Sequence, residues 1–241
     1  MEHVVVTKNL VKDFGQLRAV NNLNLSIPRG VTYGFIGPNG SGKTTTIKIA
    51  IGLLEATSGE VNVLGKKIPN PSIYPRIGYM PQEIALYQDI TVGQTIRFFG
   101  EIYRLESKRI QERQDELLSF VDLTAKRNDL VSNLSGGMRH RLSLAVSLIH
   151  EPELLFLDEP TVGVDPELRS SFWEYFGNLT KQGVTVLITT HYMDEAGKCD
   201  RVGMIRQGSL VAEGHPDELK KETGKESLEE AFLSYLRRDE K

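Results

Sequence analysis

With 241 residues, 39% of them hydrophobic and 25% charged, and a formal net charge of -3, the chain has the makeup of a folded unit able to bury about 70–75% of its unfolded-chain surface. Disorder, collagen and fibre are excluded. The 29 basic and 32 acidic residues leave no strongly basic domain, so broad electrostatic capture of nucleic acid is not expected. Cys199 is the only cysteine, which rules out an intrachain disulfide, a multi-cysteine zinc site and a redox pair, and suits a reducing compartment. The apolar run Val4-Val5-Val6 is too short for a signal-peptide core, and no run approaches the ~18–20 apolar residues of a membrane span. Work at a membrane would need another chain to cross it.

Residues 4–36 read as short strands at Val4 to Thr7, Leu23 to Ile27 and Val31 to Ile36, with Pro28-Arg29-Gly30 as a turn. A glycine-rich loop follows, and then Ile47, Ala50, Ile51 and Leu54 recur with the spacing of one helical face. Strand signals return at Val61 to Val63 and Ile77 to Tyr79. From Thr91, whose spacing to Gln94 is that of a capping box, the period turns helical through residues 88–151, with stretches at Val92 to Tyr103, Lys108 to Leu123 and after Ser135. Strands are expected again at Leu154 to Leu157 and Val184 to Thr189, and a helix between them opens at Asp165-Pro166. Beyond Pro216 the charged segment, with Leu228, Phe232 and Tyr235, suits a small docking helix. Alternating strands and helices predict an α/β fold with a mostly parallel sheet.

Gly37-Pro38-Asn39-Gly40-Ser41-Gly42-Lys43-Thr44 satisfies G-x-x-x-x-G-K-[ST], placed between a strand and a helix as that phosphate-binding pattern requires. Glycines let backbone N–H groups close around phosphate oxygens, Lys43 adds a positive charge, and Thr44 offers a hydroxyl to Mg2+. A second oxygen ligand comes from an acid ending an apolar strand, and Leu154-Leu155-Phe156-Leu157-Asp158 supplies one. Glu159 can share the site only if the strand stops there, as Pro160 favours. It could then orient or deprotonate an attacking water; the plainer reading is a carboxylate capping a loop. Leu134-Ser135-Gly136-Gly137-Met138 offers a second open helix start, which taken alone is more often an ordinary capped helix.

Together the phosphate loop, Leu134 to Met138, the Leu157-Asp158-Glu159-Pro160 run and the isolated His191 resemble the ATP-binding cassette ATPases, the motor subunits of ABC transporters, over nearly the whole chain. That resemblance implies a P-loop NTPase core with an antiparallel β region and an inserted all-helical subdomain. All 241 residues would form one domain: a nucleotide-binding core of residues 1–87 and 152–215, a helical subdomain at 88–151 and a C-terminal helical segment at 216–241. It implies that Phe14 stacks on adenine, with ordinary core as the lesser alternative, and that Val20 and Thr45 join the phosphate loop in holding ATP. Gln82 would reach Mg2+ with Thr44 and Asp158 and lie beside the membrane subunit. His191 would contact the γ-phosphate, though a lone histidine after a strand is more often structural.

Ser135, Gly136 and Gly137 would close over ATP held by a second cassette, most simply a second copy, and Val164-Asp165 would cross that interface. Met138 departs from the glutamine most common in the family. Leu86 to Val92, Thr161 to Pro166 and Leu228 to Leu233 look most like drug-exporter cassettes, whose transmembrane permease is a separate chain, placing this one on the cytoplasmic face of the membrane. The competing readings are a soluble cassette ATPase acting on nucleic acid or ribosomes, and a regulatory module that binds ATP without hydrolysing it. No sustained heptads lie between Lys43 and Ser135, only one cassette is present, and the residues for hydrolysis are in place.

Overall fold

The computed structural model describes residues 2–239. They pack as two compact units, one drawn from the segments up to 74 and from 179 onward, the other from 75–178. The first unit begins with the antiparallel strands β1 (His3–Phe14) and β2 (Leu17–Pro28). On β2, Leu23, Leu25 and Ile27 are buried while Asn24 and Ser26 are exposed, the period of two that a one-sided sheet imposes. β1 runs well past Thr7, where its sequence pattern ends. Register shifts between Thr7 and Lys12, with Asn9 at φ 47°, break the alternation while pairing continues.

Strand β3 (Thr32–Ile36) is buried along its whole length and leads to helix α1 (Lys43–Ala50). The apolar spacing carries on to Leu54, but the helix stops earlier. Gly52 at φ 75° donates its N–H to the Ile49 carbonyl, and Leu53 donates to that of Lys48, the paired bonds of a Schellman terminus. Strands β4 (Ser58–Val63) and β5 (Lys66–Lys67) complete an antiparallel sheet of order β2-β1-β4-β5.

In the second unit, β6 (Ile77–Met80) is followed by α2 (Val92–Ile102), α3 (Ser107–Phe120) and α4 (Gly136–Leu148), then by β7 (Leu154–Asp158) and α5 (Pro166–Lys181), which runs on into the first unit. β6 and β7 pair in parallel. The Thr91 capping box is present in both directions: Thr91 Oγ1 accepts from the Gln94 N–H, and the Gln94 side chain accepts from the Thr91 N–H. Val92, Ile96, Ile110, Leu117, Leu118, Leu142 and Ala145 are buried.

The chain returns to the first unit with β8 (Thr185–Thr190), the short α6 (Met193–Ala196), β9 (Arg201–Arg206) and β10 (Ser209–Gly214). β3 lies between β8 and β9, parallel to both, and β10 runs antiparallel on β9. The sequence pattern does not announce the β9–β10 hairpin. Its turn is Gln207-Gly208, both at positive φ, in place of the asparagine-glycine pair that signals such turns. Beyond it stand two helices where the sequence suggests one. α7 (Pro216–Thr223) is opened by His215 and Glu218 and closed by Gly224 at φ 67°, and α8 (Leu228–Asp239) buries Leu228, Ala231 and Phe232. No helix among the described residues is long and apolar enough to cross a membrane.

Candidate functional site

In the first unit, β3 delivers the chain into Gly37. Gly40 and Gly42 hold φ of 76° and 105°, and a Cβ on Gly37 or Gly42 would run into the carbonyl oxygen of Ile205 or Ala19 respectively. Glycine is therefore required at both positions. Lys43 folds back across the loop, its Nζ donating to the carbonyls of Gly37 (2.7 Å) and Pro38 (3.2 Å). Gly42 caps α1 without a side-chain bond, so the helix N-terminus keeps its N–H groups for an anion. The Ser41 hydroxyl is buried in the loop with no hydrogen-bond partner among the described residues. Such a cradle with an unsatisfied hydroxyl fits phosphate oxygens. Pro38 and Asn39 are exposed on it, and Thr44 and Thr45 are half-buried in the first turn of α1.

Phe14 is 48% exposed at the end of β1, which excludes the core reading, and the Lys12 ammonium lies 5.0 Å from its ring centroid. Val20 is fully buried, out of phase with Leu23, Leu25 and Ile27 because a bulge at Asn22, at φ 49°, shifts the alternation of β2, and whatever it contributes is through packing. His191 is exposed just after β8, its ring 4.1 Å from that of Tyr192. The loop carrying it is braced by Thr190, whose hydroxyl accepts from the Tyr192 N–H and donates to the buried Glu195 carboxylate, both at 3.0 Å. No sequence motif points to Glu195.

In the second unit, β7 ends at Asp158, which is buried. Glu159 then adopts φ 56°, the left-handed region a glutamate rarely enters. The strand thus stops between the two acids. Gln82 donates its side-chain N–H to a Glu159 carboxylate oxygen (3.1 Å), and the His140 ring contacts the Glu159 carbonyl (2.9 Å). Burial, and then the charge of Asp158, push the Tyr79 hydroxyl on β6 up to about 12. Ser135 caps α4 by accepting from the Met138 N–H (3.2 Å), so methionine there is compatible with the cap. Ser135 and Gly136 are exposed, a Cβ on Gly136 would meet nothing, and Gly137 lies against the Gly163 carbonyl. Asp165 caps α5 through the Leu168 N–H, and Val164 is buried.

The phosphate loop, Phe14 and His191 thus belong to the first unit, and Gln82, Ser135 to Gly137, Asp158 and Glu159 to the second. Sequence reasoning pairs Asp158 with Glu159 but gives no signal for His140, which lies in an unremarkable part of α4, or for Tyr79.

A phosphate loop after a buried parallel strand, with an acid at the end of a second one, defines an α/β P-loop nucleotide-binding fold. Residues 20–162 match the ABC transporter family, and the chain belongs to that family. It is 41% identical over 242 residues to the probable multidrug ABC transporter ATP-binding protein YbhF of Escherichia coli, covering 98% of this chain. The chain spans about two fifths of that curated relative's length, 42%. Among solved structures it resembles an ATP-binding subunit of an ABC transporter (25% identity, TM-score 0.89, 97% of this chain and 99% of the other). It also resembles a dimeric ATP-binding cassette in a post-hydrolysis state bound to ADP and Pi (26% identity, TM-score 0.81, 88% of this chain and 98% of the other). These likenesses are to transporter components and do not favour the soluble alternative.

Proposed function

We propose that this chain is the ATP-hydrolysing subunit of an exporter, binding ATP with Mg2+ and working as a head-to-tail dimer beneath a separate transmembrane permease. The observation that carries the reading is the phosphate loop: glycines fixed by neighbouring carbonyls, an ammonium held across the loop and a buried hydroxyl without a partner among the described residues. Lys43 and backbone N–H groups of the phosphate loop hold the phosphates, and Phe14 presents a ring face for the base. The family resemblance gives Val20 a place beside the nucleotide through packing.

Thr44, Gln82 and Asp158 would hold Mg2+, a hard cation suited to hydroxyl, amide and carboxylate oxygens. When bound it neutralises charge on the β- and γ-phosphates. Glu159, oriented by Gln82, accepts a proton from the attacking water, and His191 donates to the γ-phosphate. Ser135 and Gly136, exposed at the start of α4, and the half-buried Gly137 close over the nucleotide of the second subunit, and the Val164-Asp165 turn meets that subunit.

A surface suited to the permease lies beside the Gln82 loop. There Tyr87 and Phe98 are exposed and in edge contact (5.4 Å), Phe99 backs Phe98, and Ile102 is exposed one turn on. The chain then sits on the cytoplasmic face of the membrane, and nucleic acid has no role. The test is to measure Mg2+-dependent phosphate release by the purified chain and to identify what copurifies with it from gently solubilised membranes. A polytopic membrane protein in near-equal amount supports the reading. Recovery with ribosomes or nucleic acid and no such protein overturns the transporter role.

A further inference from the structure

Glu159 is held at both ends. Its carboxylate accepts from Gln82, and its backbone carbonyl is met by the ring of His140, five residues beyond Ser135 on α4. A carbonyl oxygen only accepts, so His140 Nε2 must carry the hydrogen. The ring is buried, burial lowers its pKa from the ordinary histidine range, and hydrogen bonding to the backbone of Glu159 and Pro160 works against that shift. The N-terminal turn of the same helix abuts the loop after Glu159, where a Cβ on Gly137 would lie 3.1 Å from the Gly163 carbonyl. One helix therefore touches this loop at two points, once at the turn that carries Ser135-Gly136-Gly137 and once at the glutamate.

We infer that His140 is a positioning residue for Glu159. By donating to the Glu159 carbonyl it fixes the left-handed backbone that aims the carboxylate, and it ties that backbone to the helix closing over the second subunit's nucleotide. The inference rests on the hydrolytic role proposed for Glu159. At φ 56° a glutamate is held against its own backbone preference. The Val162 N–H also donates to that carbonyl, at the longer distance of 3.3 Å; without the His140 donor only this weaker bond opposes relaxation toward the extended region, which would turn the carboxylate away from Gln82. A shift of α4 on nucleotide engagement would reach Glu159 through the same bond.

The test compares His140→Leu, which has no donor, His140→Asn, whose shorter amide falls short of the carbonyl, and His140→Gln, whose amide can reach it. Phosphate release, the Kd for ATP and the melting temperature are measured for each. His140→Leu and His140→Asn are expected to lose about tenfold or more in kcat with Kd within about twofold, and His140→Gln to recover to within about threefold of wild type. In a Glu159→Gln background, His140→Leu should add no further loss, because both act on one group.

Wild-type kcat in His140→Leu or His140→Asn overturns the inference, as does an equal loss in all three variants, or a loss of kcat matched by equal losses in Kd and melting temperature. Nitrogen NMR of the wild-type ring should show hydrogen on Nε2; an Nδ1–H ring overturns the inference whether or not the leucine variant folds. A wild-type chain without turnover is failure of the ATPase reading itself, visible before any variant is compared. The ring tautomer is decided independently of it.

Discussion

The phosphate loop and the Glu159 corner both place left-handed backbone where phosphate chemistry is proposed, and they do so by opposite means. In the loop, Gly40 and Gly42 hold φ of 76° and 105°, and absent side chains are the device. At the corner, Glu159 holds φ 56° with a full side chain, and contacts from Gln82 and His140 supply the constraint. Binding needs backbone N–H groups brought close, which glycine allows. Proton transfer needs a carboxylate in one orientation, so there the strain must be carried by neighbours.

The most severe way to break this contrast is at the carboxylate. Glu159→Gln should lose about 10²–10⁴-fold in turnover while binding ATP as the wild type does, checked by phosphate release against calorimetric Kd. Near-normal turnover would remove Glu159 from the role of base.

Next comes the loop itself. Gly42→Ala puts a methyl into the Ala19 carbonyl at a φ of 105°, so a destabilisation of about 3 kcal/mol is expected from that clash and strain. A melting scan should then show a fall of roughly 6–12 °C, with nucleotide binding lost. Phe14→Ala tests the open ring face: loss of a stacking contact of about 1 kcal/mol corresponds to roughly fivefold weaker ATP binding. An unchanged Kd would leave Phe14 without a role in the site.

Glu159→Gly sharpens the contrast at the backbone alone. It relieves a left-handed residue while deleting the carboxylate, so the melting temperature should move by less than about 3 °C with turnover as low as in Glu159→Gln. The smallest effect is that of pH. Burial lowers the pKa of His140 below the ordinary histidine value of 6.5, so the unfolded chain binds the proton more readily. Stability is then fully present above about pH 6.5 and declines as pH falls toward the folded value. His150, also buried and lowered, acts in the same direction, and His140→Gln should flatten the decline only in part.

Much of the fold is legible in the residues because the signals are local. The Thr91–Gln94 box, the Ser135 and Asp165 caps and the period of two on β2 each involve groups a few positions apart. Long-range pairing hides the rest. β1 continues to Phe14 through bulges that only its partner β2 makes sense of, α1 is cut short by the turn at Gly52 despite its apolar spacing, and the β9–β10 hairpin turns on an atypical pair. Tyr79, His140 and Glu195 carry no motif, since what matters about each is the residue it faces from another segment.

By itself the sequence determined the phosphate loop, the acid pair, the capped helix starts and the α/β class, because glycine placement, strand-ending carboxylates and helix caps act through the backbone next to them. Only the tertiary structure decided that Phe14 stands open while Val20 is buried, that the C-terminal segment is two helices, and that Glu159 is gripped by Gln82 and His140. Burial and side-chain hydrogen bonding between distant segments depend on which surfaces fold against each other, and that is not written in any one stretch of the chain.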